Sequence, residues 1–258
     1  MKLEIFKLPA ILLTIAVCFS SCNKKVELDI DELCTCEEEQ QQGYLEDVVI
    51  IANVENASKY SRATEVWWSW YDMDLRTIIK PARAEWKNGS FAIELPETLD
   101  SNYLNGSFGG SLDLLTISNR DVKTKEATFA AFENNGNYVT SLFHAKKTEN
   151  GYVRAFYIYA DSDATFYGST TSGAYLTEKD NNGHCSLYLW KINTTFSVSW
   201  KKGWNIWYLS SSYSKAERII TKQWSSTPVC GLKWYGGEEF LAMDTSNRIR
   251  NGCPYIDY

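Results

Sequence analysis

Histidine is nearly missing from this chain: only His144 and His184 occur in 258 residues. No zinc pattern joins them, even though His184 adjoins Cys185, and a tetrahedral zinc site wants four ligands. A phosphate loop, a dinucleotide fingerprint and a Gly-x-Ser-x-Gly elbow are absent as well, so no motif-marked enzyme class is indicated. Two Ser-x-x-Lys matches, Ser199 with Lys202 and Ser212 with Lys215, fall in expected strands or hairpin ends, where positions three apart face opposite ways. Positive charge is in deficit, with 26 Lys and Arg against 32 Asp and Glu and a net charge of −6. Such a chain has no electrostatic reason to bind nucleic acid. After the first twenty or so residues no apolar run approaches the ~18 residues of a membrane-spanning helix.

What is present begins with an export signal. Lys2 and Lys7 supply positive charge, Leu8 to Phe19 forms an apolar run broken only by Pro9 and Thr14, and Ser20 and Ser21 precede Cys22. The run is too short to span a bilayer and fits the hydrophobic region of a cleaved signal. Removing residues 1–21 of 258 leaves 237, enough for one large or two small domains. Losing Lys2, Lys7 and Glu4 takes the charge from −6 to −7.

The Phe19-Ser20-Ser21-Cys22 end resembles the lipobox of bacterial lipoproteins, with Phe19 where Leu is commoner. The resemblance implies lipid on Cys22 and an anchor in the cell envelope, at the outer membrane. The alternative is an ordinary secretory signal with an incidental cysteine. From Asn23 to Gly43 the chain has seven acidic residues, two lysines and no aromatic residue, so it buries too little apolar surface to offset ordering and reads as a tether over 22–43. A short helix at Asp31 to Gln42 is the alternative. The acidic run is similar to surface-export signals of Bacteroidetes lipoproteins, although Lys24 and Lys25 intervene.

Export makes disulfides possible. With Cys18 in the signal and Cys22 lipidated, Cys34, Cys36, Cys185, Cys230 and Cys253 remain, an odd number. Cys185 with Cys230 is the pairing to test first. Cys34-Thr35-Cys36 lies on the tether, where oxidised or unpaired cysteines explain it better than a metal.

Beyond Gly43 the chain reads as β-structure. Asn-Gly, a strong hairpin signal, recurs at Asn88, Asn105, Asn135, Asn150, Asn182 and Asn251, and four of these, at 88, 135, 150 and 182, have apolar or aromatic flanks. Strands are expected from Asp47 to Tyr235, among them Thr64 to Tyr71, Tyr152 to Ala160, Ala164 to Gly168 and Ser186 to Trp200, the last bending or breaking near Asn193. One short helix is expected at Pro96 to Leu104. The fold class is therefore all-β: an antiparallel sandwich at 44–108, then a larger barrel-like or sandwich domain at 109–258 with an irregular C-terminal tail. The boundary is set at the Gly/Ser-rich Asn105 to Ser111, with a single continuous β-domain as the alternative.

The stretch AEWKNGSFAIELPETLDSNYL, Ala84 to Leu104, resembles a segment of uncharacterised Bacteroidetes lipoproteins with immunoglobulin-like or transthyretin-like sandwiches. That resemblance brings no catalytic residues.

The most unusual local feature is Trp67-Trp68-Ser69-Trp70-Tyr71. In a strand, Trp68 and Trp70 share one face, Trp67 and Tyr71 the other, and only one face can be a simple core. Flat indoles in a row suit the C–H faces of sugar rings. Trp204, Trp207, Trp234 and Tyr235 are further candidates, whereas core or interface packing needs no ligand. Asp72 with Asp74 and Asp161 with Asp163 could hold calcium, but turn chemistry explains them more simply. The expected function is a lipid-anchored module binding a glycan or an envelope protein, with no cofactor, no metal and no nucleic-acid partner. Assembly into a surface appendage and hydrolysis of polysaccharide or peptidoglycan are the alternatives.

Overall fold

Asn88 and Gly89 both hold positive φ, 51° and 91°, and close a two-residue hairpin in which Lys87 and Ser90 exchange backbone hydrogen bonds. Asn-Gly pairs also occupy three other strand connections, although among the described residues only Asn88 of these asparagines has positive φ. The computed structural model describes residues 27–28, 44–45, 48–72, 76–105, 115–179, 182–250 and 252–253. The strands are β1 (Glu27–Leu28), β2 (Tyr44–Leu45), β3 (Val49–Asn53), β4 (Glu65–Asp72), β5 (Thr77–Glu85), β6 (Ser90–Glu94), β7 (Leu115–Ile117) and β8 (Thr124–Ala127). They continue as β9 (Phe129–Phe132), β10 (Tyr138–Thr148), β11 (Gly151–Ala160), β12 (Ala164–Lys179), β13 (Cys185–Trp200), β14 (Gly203–Ser214), β15 (Ile219–Ser225) and β16 (Lys233–Gly236). Helices α1 (Gly237–Met243) and α2 (Thr245–Arg250) follow.

The all-β class is what the sequence predicts. A three-stranded sheet, β1-β3-β6, packs on a 13-stranded sheet whose main path runs β5-β4-β9-β10-β11-β14-β15-β13-β12-β7. That path is open rather than a closed barrel, so the architecture is a sandwich. The four flanked Asn-Gly pairs lie at the β5–β6, β9–β10, β10–β11 and β12–β13 connections.

Several local expectations differ from what is found. Pro96 to Leu104 contains only a 3-10 turn at Ser101–Tyr103, capped by the Asp100 side chain. The segment from Ala164 does not stop at Gly168 but runs to Lys179, because Ser and Thr sustain a ladder although they give no apolar alternation. β13 passes Asn193 unbroken, with Asn193 opposite Thr171 and every residue from Cys185 to Trp200 paired to β12. The expected irregular tail forms α1 and α2. The possible helix at 31–42 lies outside the described residues, whereas Glu27 and Leu28 pair in parallel with Val49 and Ile50. Across the sequence's Gly/Ser-rich 105–111, strand pairing continues: β4 lies beside β9, with Trp67 opposite Ala130.

β11 and β14 are the middle of the molecule, joined over ten residue pairs. Their alternate side chains enter two separate cores. Val153, Ala155, Tyr157, Tyr159, Trp204, Ile206 and Tyr208 face the core shared with the small sheet. Tyr152, Phe156, Ile158, Trp207 and Leu209 face a second core with Phe166, Val198, Trp200 and the α1 residues Phe240 and Met243. A small third cluster of Trp190, Ile220 and Ile249 seats α2 behind the far end of β12 and β13.

Candidate functional site

The aromatic residues that the sequence singles out do not form one exposed row. Trp67, Trp68, Trp204, Trp207 and Trp234 are buried and Trp70 is half-buried. Trp68 meets Trp70 at 5.4 Å and Trp204 at 5.2 Å between ring centroids, as alternation predicts for the 68/70 face. The opposite face is closed by the chain's own neighbours. Trp67 stacks on Phe132 at 3.9 Å, carries the Lys80 ammonium 3.3 Å above its ring and donates its indole N–H to Glu65. Long side chains from adjacent strands thus cover an indole that local alternation leaves unassigned. The Tyr71 side chain lies outside the described residues. Trp204 donates to the Pro96 carbonyl at 2.8 Å, and Trp207 sits in the second core against Trp224 at 4.5 Å. Tyr235 is half-buried, and burial raises its phenol.

Trp234 borders a cavity that the sequence does not foretell. β10 and β11 pair over Ala145–Thr148 and then separate, β10 continuing with β9 and β11 with β8. Thr128, between β8 and β9, marks the crossing. The gap is a partly open cavity of about 110 Å³ lined by Glu126, Arg154, His144, Tyr157 and Trp234 among others. Small-molecule sites run to ~300–1,000 Å³, several times this volume. His144 is stacked on Trp234 at 5.0 Å, shares a hydrogen bond with the Tyr157 hydroxyl at 3.0 Å and bonds to the Leu232 backbone. Burial lowers its pKa to about 4. The imidazole is neutral and its partners are satisfied. Arg154 lies 4.0 Å over Phe156 and pairs with Glu126 at 3.3 Å. Burial pushes the Glu126 carboxyl up and Arg154 down, each partly offset by the other's charge. Among the described residues Glu126 is the one carboxylate lining the gap.

Asp161 and Asp163 do the work of turns. Asp161 accepts from the Lys123 backbone at 2.9 Å, and Asp163 accepts from the Lys202 backbone at 2.8 Å and Lys201 Nζ at 3.0 Å. The Lys202 N–H, followed by Lys201, holds the Asp163 carboxyl below its ordinary range. Asp74 lies outside the described residues. Among the described residues no three His, Cys, Asp or Glu side chains group as metal ligands. No described helix is long and apolar enough to cross a membrane.

The cysteine pairing differs from the expected one. Cys185 bonds to Cys253, not Cys230, tying the start of β13 to the chain just past α2. Cys230 is itself disulfide-bonded. Sequence order does not give this, because α2, in a tail that reads as irregular, carries Cys253 back to the sheet. Cys22, Cys34 and Cys36 lie outside the described residues.

The large aromatic side chains that do reach solvent are elsewhere. Tyr138 at the start of β10 is 60% exposed, and on β12 Tyr167 is 69% and Tyr175 66% exposed, with Leu189 opposite Tyr175 57% exposed. Register places Ser169, Thr195, Gln223 and Ser210 side by side across β12, β13, β15 and β14, and beside them Thr171, Asn193, Thr221 and Ser212. All eight are uncharged hydroxyl or amide side chains, each exposed or half-buried. Lys191, opposite Gly173, is the charge of the next row. The signal for this surface lay in Thr and Tyr at alternate positions, which apolar periodicity does not detect. Neither protein-family models nor curated proteins nor solved structures yield a match to this chain.

Proposed function

We propose that this chain is a lipoprotein of the bacterial cell envelope, held at the outer membrane by lipid on Cys22, whose all-β body is a binding module for a glycan or an envelope protein. The export signal, lipobox and acidic tether support the anchor. The observation that carries the binding role is the contrast between buried indoles and the exposed Tyr167, Tyr175 and Leu189 gathered on one sheet surface. Solvent-exposed aromatics on a polar surface favour association over core packing.

The test uses the full chain expressed in a bacterial host. Labelled fatty acid should enter the protein and be lost in Cys22→Ser, and the soluble Cys22→Ser form should retain envelope glycan or protein from fractionated cells. Absence of label would remove the anchor, and retention of neither ligand would remove the binding role.

A second reading, assembly with other chains, has one observation in its favour. Among the described residues β7 pairs only with Phe166–Gly168, and the outer edge of β12 beyond that carries no charge until Glu178. The opposite sheet edge, β5, is guarded by Lys80, Pro81, Arg83 and Glu85. Sedimentation of the soluble form as discrete oligomers or polymers would support assembly, and a strict monomer at high concentration would count against it.

A further inference from the structure

We propose that the outer surface of β12, β13, β15 and β14 binds an uncharged linear polysaccharide lying along β12 and β13, with Tyr167 and Tyr175 stacking on its sugar rings; this rests on the binding role above and names its site and ligand class. Tyr167, Ser169, Thr171, Gly173 and Tyr175 alternate along β12 and therefore share one face. Eight residues of strand separate the two phenols by about 27 Å, and four strands give a width of about 14 Å. Between the rings stand the two uncharged rows already described and, next to Tyr175, the row of Gly173 and Lys191.

The chemistry of this surface matches one kind of ligand. Ser and Thr hydroxyls donate and accept, and Asn and Gln amides do both, so the rows can meet a chain of sugar hydroxyls in either sense. Thr171 and Asn193 already bond at 3.2 Å, which orients one such pair. Sugar C–H faces rest against an aromatic ring, and the exposed phenols stand at both ends of the rows. Between the two phenols an acidic polysaccharide would meet Lys191 as the one cation of these strands' shared face, on a chain of net charge −6. A cationic ligand would find no carboxylate within them.

The surface is also stiff, which limits the ordering cost of binding. Its reverse side packs Phe166, Val198, Trp200, Trp190 and Ile220 into two cores. The Cys185–Cys253 bond fixes the far end of the hairpin.

The experiment is affinity electrophoresis of the soluble full chain through gels containing laminarin, xyloglucan, amylose or arabinan, with alginate and polygalacturonate as acidic comparators. Retardation by at least one uncharged polymer is expected, insensitive to 0.5 M salt and about tenfold weaker in Tyr167→Ala/Tyr175→Ala. Thr195→Asp should weaken it too. Unchanged thermal unfolding of both variants would show that they are folded. Retardation that the variants leave intact would overturn this site while the binding role stands. Salt-sensitive binding to the acidic polymers alone would overturn the ligand class. No retardation by any polymer would overturn the proposal, and with no envelope ligand retained either, the binding role would fall as well.

Discussion

β11 with β14 and β12 with β13 are both long antiparallel ladders in one sheet, and the chain treats them oppositely. In the first pair Tyr, Trp, Phe and Ile occupy both faces, since each face meets a core. In the second, one face holds Phe166, Trp190, Val198 and Trp200, and the other holds Ser, Thr, Asn, Lys191, Leu189 and two exposed Tyr. Strand pairing alone does not decide where aromatic residues are needed. What decides it is whether another layer lies above the face, because apolar area contributes only when it leaves water.

The contrast predicts different responses to substitution. Trp68, fully buried among Trp70, Trp204 and Val66, should cost about 3–5 kcal/mol when replaced by Ala, measured by denaturant unfolding. Loss within 0.5 kcal/mol, the size expected at Tyr175, would break the distinction between the two ladders.

Cys253→Ser frees a covalent loop between residues 68 apart and should cost about 2–4 kcal/mol, with the first effect at α2 and the tips of β12 and β13. Hydrogen exchange should show those amides loosening while β11 and β14 stay protected. Uniform loosening of both ladders would mean that the two unfold as one unit.

The smallest effect concerns His144. Its folded pKa of about 4 lies below the unfolded value near 6.5, so the folded state binds fewer protons. Its contribution is complete above pH 6.5 and declines as pH falls toward 4, by about 2 kcal/mol at pH 5. His144→Gln should flatten that part of the stability profile. An unchanged slope in the variant would place the titrating group elsewhere.

Much of the fold was legible because turns and alternation are local. Asn88-Gly89 closes its hairpin for the reason that makes the dipeptide recognisable, positive φ at both residues. Trp68 and Trp70 share a face because strand geometry requires it. The candidate surface was far less legible. Ser169 to Lys179 looks like loop composition, and its strand exists because every residue finds a partner on β13. Local alternation leaves the face of Trp67 unassigned, and only the neighbouring strands bring Lys80 and Phe132 over it.

The sequence by itself determined the all-β class, the positions of the main hairpins and which side chains share a strand face, since these follow from φ preferences and a two-residue repeat within a few consecutive residues. Only the tertiary structure decided which faces are covered, which cysteine Cys185 meets and where aromatic rings reach water. Those outcomes depend on the order in which distant strands lie side by side, and that order is fixed by the summed burial of whole layers rather than by any local pattern.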